Sequence, residues 1–77
     1  MDKIVPEENQ RILSEIASYL HEYRIQCGYT RDELCQITNV HRNTILRAEK
    51  GRNISLLTLI EIANSLELPL KELFWEL

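Results

Sequence analysis

Five side chains between positions 41 and 47 are of types that can recognise the edges of DNA bases. An arginine guanidinium can donate two hydrogen bonds to one guanine, an asparagine carboxamide can bond adenine at two atoms, and a leucine can pack on a thymine methyl group. If a helix begins near position 41, side chains at these positions lie on the outward side of its first turns. The predicted base-reading set is His41, Arg42, Asn43, Leu46 and Arg47. For Leu46, exposed apolar surface without DNA contact is an equally good interpretation.

The charges of the chain are divided between a basic middle and acidic flanks. From Tyr29 to Asn53, five basic residues outnumber three acidic ones, whereas the rest of the chain carries four basic and nine acidic residues. The formal net charge of −3 argues against an indiscriminate nucleic-acid binder. The division favours a binding surface confined to the middle of the chain, although ordinary solvated surface charge is the alternative.

Helices must position these residues, because apolar side chains recur at steps of three and four and no alternating strand pattern occurs. The first predicted helix spans residues 7–27 and ends at Gly28, which can adopt the left-handed backbone conformation. A capping box from Thr30 to Glu33 opens a second helix, which runs to about residue 38.

A short turn must separate the second helix from the helix that carries the base-reading set. Asn39 is predicted to take left-handed backbone angles in this turn, because asparagine tolerates them better than most residues do. The third helix is then expected over residues 41–50, with Gly51 as its stop. Two helices joined by so short a turn predict a helix-turn-helix arrangement.

Two further helices complete the predicted bundle. Ser55 caps a fourth helix that is apolar on nearly every side, Leu56 included, which is typical of a central helix in a small bundle. Pro69 opens a short last helix from Leu70 to about Trp75.

Other classes of function find little support. Cys27 and Cys35 lack partners at metal-ligand spacing and are interpreted as small, reduced core residues. There are no paired carboxylates, glycine-rich phosphate loop or Ser/His/Asp arrangement, so neither catalysis nor a cofactor is expected. The 77 residues suffice for one domain, and apolar runs of two or three residues are too short to span a membrane. The acidic start is unlike a secretory signal, so we expect a cytoplasmic, nucleoid-associated protein.

The predicted helices resemble, in the same order, those of the lambda-repressor and Cro-like helix-turn-helix regulators, also called the xenobiotic-response-element family. Residues 24–35 are similar to the end of that family's first helix and its capped second helix, and residues 40–51 are similar to its recognition helix. Residues 55–66 and 70–74 are similar to its last two helices. The resemblance covers roughly residues 20–74 and implies an all-α, five-helix DNA-binding domain, here with an extended first helix.

The resemblance also implies roles for individual residues. Arg24 and Glu49 match a paired arginine and glutamate that join the first and third helices of the family. Leu46 stands where a polar residue is commoner, Arg31 where glutamine is frequent, and Asn39 where glycine is usual. Contacts to DNA phosphates are implied for Thr30, Arg31, Thr44, Lys50, Arg52 and Asn53.

A homodimer is expected, because one recognition helix covers few base pairs and two-fold dimers read half-sites about 34 Å apart. The interface candidates are apolar residues beyond those a small core needs: Leu57, Phe74, Trp75 and Leu77. Trp75 could instead cover the first helix of its own chain, at Ile12, Leu13 and Ile16. An interface through the extended first helix is a further alternative.

The charge pattern and the spacing on the third helix predict a protein that binds double-stranded DNA, and the resemblance implies a bacterial or phage transcriptional regulator, such as a repressor. The alternative is an antitoxin or another protein-interaction module with the same fold. A toxin or RNA polymerase would then be a partner that the sequence does not specify. The basic outward side of the third helix favours DNA over this alternative.

Overall fold

The computed structural model describes residues 5–74, and these residues contain five α-helices. They are α1 (Glu7–Gln26), α2 (Arg31–Ile37), α3 (Arg42–Glu49), α4 (Leu56–Ser65) and α5 (Leu70–Leu73). None of the described residues forms a strand, so the prediction of an all-α, five-helix fold is confirmed. Trp75 and Leu77, two of the interface candidates, lie outside the described residues.

The long helix α1 begins directly after Pro6, and its first half contacts the backbone just beyond the end of α3. The Gln10 side-chain amide donates a hydrogen bond of 3.1 Å to the carbonyl oxygen of Gly51. Gly51 has a φ of 75°, and a Cβ atom at this position would lie 3.1 Å from Oγ of Ser14. Glycine therefore serves here both as the left-handed end of α3 and as the place where α1 approaches closely.

The start of α2 is closed by the capping box that the sequence predicts. The Thr30 hydroxyl accepts a hydrogen bond of 3.1 Å from the amide of Glu33, whose carboxylate accepts one of 3.0 Å from the amide of Thr30. These two bonds satisfy amides that the first turn of a helix otherwise leaves without a partner.

The turn between α2 and α3 does not use left-handed backbone at Asn39, so that prediction is wrong. Among the described residues other than glycine, only Glu67 has a positive φ, of 55°, just beyond the end of α4. The turn instead places Thr38 in an extended conformation, with φ −118° and ψ 168°. Its hydroxyl accepts a hydrogen bond of 2.7 Å from the amide of Val40. This side-chain hydrogen bond gives the amide of Val40 a partner within the turn, and no residue of the turn has to adopt left-handed backbone angles.

Each helix contributes a buried apolar side chain to one core. These side chains are Leu20 of α1, Leu34 of α2, Ile45 of α3, Ile62 of α4 and Leu73 of α5. Full burial of such a side chain stabilises the fold by about 1.5–3 kcal/mol. Because Ile45 anchors the inner side of α3, the opposite side of that helix is left facing solvent.

Two residues expected in the core are exposed instead. Cys27 follows the last residue of α1 and is exposed, whereas Cys35 is partly buried against the core. Leu56 is 63% exposed because it is the first residue of α4, beyond the turns whose Leu59 and Ile62 are buried.

Candidate nucleic-acid interface

His41 fixes the beginning of α3. It is the N-cap residue, and its Nδ1 atom accepts a hydrogen bond of 3.0 Å from the amide of Asn43. Because Nδ1 is the acceptor, the hydrogen of a neutral imidazole lies on Nε2. His41 thus offers a donor at the helix start, and its capping role was not foreseen from the sequence.

The outward side of α3 carries the residues that the sequence assigns to base reading. Arg42, Asn43 and Arg47 are exposed, and Leu46 is half-buried. The buried residues of the same helix, Ile45 and Ala48, lie on its inner side. The helix therefore presents hydrogen-bonding side chains over its first two turns, as a helix in the major groove must.

Both arginines of this set contact other parts of the chain. Nε of Arg42 forms an ion pair with Oδ1 of Asp32, the second residue of α2. An Nη atom of Arg47 donates a long hydrogen bond of 3.5 Å to the carbonyl oxygen of Asn53, in the loop after α3. These contacts tie the outward side of α3 to α2 and to the following loop.

A buried carboxylate on α3 receives a bidentate contact from α1. The side chain of Glu49 is 0% exposed, and its oxygens lie 2.7 Å and 3.0 Å from Nε and Nη2 of Arg24. Arg24 is itself 4% exposed and donates a further hydrogen bond of 2.6 Å to the carbonyl oxygen of Tyr29. The arginine and glutamate that the sequence pairs are therefore in contact, and they fix how α3 sits on α1.

Two more basic side chains reach the same carboxylate. Nδ1 of His21 lies 2.7 Å from Oε1 of Glu49, and Nε of Arg31 lies 3.2 Å from that atom. Because a carboxylate only accepts hydrogen bonds, Nδ1 of His21 must carry the hydrogen in this contact. Its position three residues before Arg24, on the same side of α1, is the sequence signal that could have indicated His21.

The network sets the ionisation of Glu49. Burial by itself raises the pKa of this carboxyl group, but hydrogen bonds from Arg24 and His21 and the charges of Arg24 and Arg31 outweigh it. The pKa of Glu49 is consequently below the ordinary value of 4.5. The hydrogen bonds with Thr30 likewise lower the pKa of Glu33.

We expect the stability that Glu49 supplies to depend on pH below about 4.5. A carboxyl group whose pKa is lowered by folding stabilises the protein above its unfolded-state pKa, and this contribution is lost as the pH falls through the folded-state pKa. Urea unfolding of the wild type and of Glu49→Gln, from about pH 7 to about pH 3, measures the contribution of Glu49 to the free energy of unfolding. The difference in unfolding free energy should shrink below pH 4.5. Glu33 is present in both proteins, so its titration does not affect the difference between them. A difference in unfolding free energy that did not change with pH would contradict the lowered pKa of Glu49.

The phosphate candidates lie at the start of α2, in the first turn of α3 and in the loop after α3. Arg31 and Thr44 are half-buried. The amide of Thr30 is bonded to the carboxylate of Glu33, which leaves its hydroxyl as the group that could donate to a phosphate. The loop after α3 contributes the exposed residues Lys50, Arg52 and Asn53.

Leu56, Leu57 and Phe74 are large apolar side chains that remain exposed, and together they are called here the apolar surface. Their exposed fractions are 63%, 64% and 43%. Leu56 and Phe74 line one groove of about 210 Å³, together with residues of α1 that include Leu13 and Ile16. The sequence indicated Leu57 and Phe74 but assigned Leu56 to the core.

Two further properties concern residues 5–74 alone. In that range, no cluster of three or more His, Cys, Asp or Glu side chains is arranged to hold a metal ion. None of its helices combines the length and the apolar character that crossing a membrane demands.

Comparison with known proteins supports the interpretation of the geometry. A family model described as helix-turn-helix matches residues 20–73. The crystal structure of the restriction-modification controller protein C.AhdI from Aeromonas hydrophila is similar, with a TM-score of 0.75 and 28% sequence identity. That match covers 80% of this chain and 96% of the controller protein. A search of curated proteins found no match.

Proposed function

The chain belongs to the Cro/C1-type helix-turn-helix family, and from this premise we propose that it is a sequence-specific DNA-binding regulator of transcription. The observation that carries the proposal is the solvent-facing start of α3, where Arg42, Asn43 and Arg47 are exposed beside the capping His41. Such a regulator acts where the DNA is, at the nucleoid in the cytoplasm.

In this proposal α3 enters the major groove and its side chains read base edges. Arg42 and Arg47 suit O6 and N7 of guanine, and Asn43 suits N6 and N7 of adenine. The Nε2 hydrogen of His41 can be donated to a base acceptor or to a phosphate near the helix start. The accessible part of Leu46 can pack on a thymine methyl group.

The residues around α3 hold the DNA backbone. In Arg31 the contact with Glu49 uses Nε, so the terminal Nη atoms can bind a phosphate while Glu49 orients the guanidinium. The other proposed phosphate contacts are Thr30, Thr44, Lys50, Arg52 and Asn53. Such contacts position the protein on the duplex without distinguishing sequences.

Arg31→Ala should weaken binding to all DNA sequences by a similar factor. Removing one phosphate contact should also reduce the slope of log K against log salt by about one. Fluorescence anisotropy with labelled duplexes between about 50 and 200 mM salt measures both effects.

Lys50→Ala is the matched variant, because Lys50 is a proposed phosphate contact that has no ion pair with Glu49. It should reproduce the change in slope. If Arg31→Ala changed the preferred bases while the salt slope stayed constant, the phosphate assignment would be wrong.

We further propose that the regulator acts as a homodimer on a palindromic operator. Two copies related by a two-fold axis would place their α3 helices in successive major grooves, about 34 Å apart. The apolar surface is the proposed interface, since three large exposed apolar side chains are costly to leave in water. The similarity to the restriction-modification controller protein C.AhdI favours a controller role for this chain.

Leu57→Asp and Phe74→Asp should each shift the protein from dimer to monomer. Both side chains are exposed, so the charge is expected to disrupt association and not folding. At position 57 an aspartate in the first turn of α4 is even favourable to the helix dipole. Sedimentation equilibrium measures the mass of each variant.

Ile25→Asp is the matched control, because Ile25 is 55% exposed near the end of α1 and outside the apolar surface. It should leave the mass unchanged. Dimers that persisted in both Leu57→Asp and Phe74→Asp would refute the proposed interface.

A further inference from the structure

The ion pair between Asp32 and Arg42 joins the two helices of the helix-turn-helix. Asp32 lies in the first turn of α2 and Arg42 is the first residue of α3, and their side chains are 70% and 54% exposed. An ion pair so open to water contributes little to the stability of a fold. Its main effect is therefore on the orientation of Arg42.

The contact engages one particular part of the guanidinium group. A guanidinium is planar and offers five N–H donors in a fixed arrangement, so that different edges can bind different acceptors at once. Asp32 binds Nε. The two terminal Nη atoms are not used by this contact, and together they can make the paired bonds to O6 and N7 of a guanine.

The charged residues on either side of Asp32 in the sequence make contacts of their own. The carboxylate of Glu33 accepts the amide of Thr30 in the capping box. Nε of Arg31 contacts Glu49. Arg42 is accordingly the basic side chain that forms an ion pair with Asp32.

We propose that Asp32 is a specificity-determining residue that holds Arg42 with its terminal edge available to guanine. The inference rests on the proposed DNA-binding function and adds a residue that does not itself touch a base. A flexible arginine side chain can reach a phosphate on DNA of any sequence. An arginine that is already held at Nε loses less conformational entropy when it binds a guanine. The negative charge of Asp32 also disfavours binding to phosphates irrespective of sequence. Both effects raise the ratio of specific to non-specific affinity.

The opposite role for Asp32 would be competition with DNA. If the carboxylate merely occupied Arg42 until DNA displaced it, its removal would strengthen binding to every sequence by the same factor. The two roles therefore differ in what Asp32→Ala does to discrimination between bases, and not in whether total affinity changes.

The test measures base discrimination in the intact protein by fluorescence anisotropy. The probes are a duplex selected by the wild type, the same duplex with its guanine replaced at the position where Arg42→Ala loses preference, and a random-sequence duplex. Asp32→Ala should lower the preference for guanine about tenfold and leave random-sequence affinity equal or higher. In an Arg42→Ala background, Asp32→Ala should leave the preference unchanged.

Glu72→Ala on α5 is the control for loss of one negative charge outside the helix-turn-helix, and it should leave the preference unchanged. An unaltered guanine preference in Asp32→Ala, or an equal loss in both backgrounds, would overturn the inference while leaving the proposed function intact. A wild type that preferred none of the three duplexes would overturn the proposed function itself.

Discussion

Glu49→Ala is expected to lower the free energy of unfolding by about 3–5 kcal/mol, the largest change among the substitutions considered. The variant leaves Arg24, which is 4% exposed, without the carboxylate that neutralises it. A buried charge that loses its partner retains the cost of desolvation, and the remaining bond to the carbonyl of Tyr29 does not offset that cost. Urea unfolding followed by circular dichroism measures the change.

Arg11→Ala provides the matched control, because it removes an ion pair of another kind. Arg11 and Glu15 lie 2.8 Å apart, but their side chains are 60% and 45% exposed. Such a pair should contribute less than about 1 kcal/mol. If Glu49→Ala proved as mild as Arg11→Ala, the buried network would not be what fixes α3 on α1.

Arg42→Ala and Arg47→Ala should each remove about 1–3 kcal/mol of discrimination between the preferred base and its competitors. Both side chains are exposed on α3, so the helical circular-dichroism signal and the unfolding midpoint should remain those of the wild type. The readout is the ratio of affinities for a selected duplex and for a duplex altered at one base pair.

Lys71→Ala serves as the control for loss of a basic residue, since Lys71 is exposed on α5 and is not part of the proposed DNA surface. It should leave the ratio of affinities unchanged. Loss of helical signal in Arg42→Ala or Arg47→Ala would mean that these arginines support the fold. Unchanged discrimination in both would mean that α3 is not the reading helix.

The helices could be predicted from the sequence because each is bounded by local signals. The capping box at Thr30 and Glu33, and the glycines at positions 28 and 51, act through neighbouring backbone groups and need no tertiary information. The side of α3 that faces solvent followed from the spacing of Ile45 and Ala48.

The incorrect predictions concern a turn that a side-chain hydrogen bond stabilises in another way, and apolar residues that lie where the packed core ends. Asn39 was a reasonable residue for a left-handed turn, but the hydroxyl of Thr38 satisfied the amide of Val40 without one. Cys27 and Leu56 have apolar spacing, yet each lies at the end of a helix and remains exposed. Periodicity predicts which side of a helix is apolar but not how far along it the packing extends.

Contacts within the candidate site were the least predictable. The ion pair of Arg42 with Asp32 and the approach of His21 to Glu49 join residues on different helices, at distances that depend on how those helices pack. Residue types alone indicate that such groups could interact with many partners. The structure was needed to show which partner each of them has.

Sequence-specific DNA binding is tested most directly by selecting bound duplexes from a random-sequence library at about 100–150 mM salt, with the mass of the complex measured by sedimentation. We expect enrichment of a palindrome whose half-sites are one helical turn apart, about 34 Å, bound by two copies of the chain. No enriched sequence, together with no salt-dependent binding, would contradict it and would favour a protein-interaction module with the same fold.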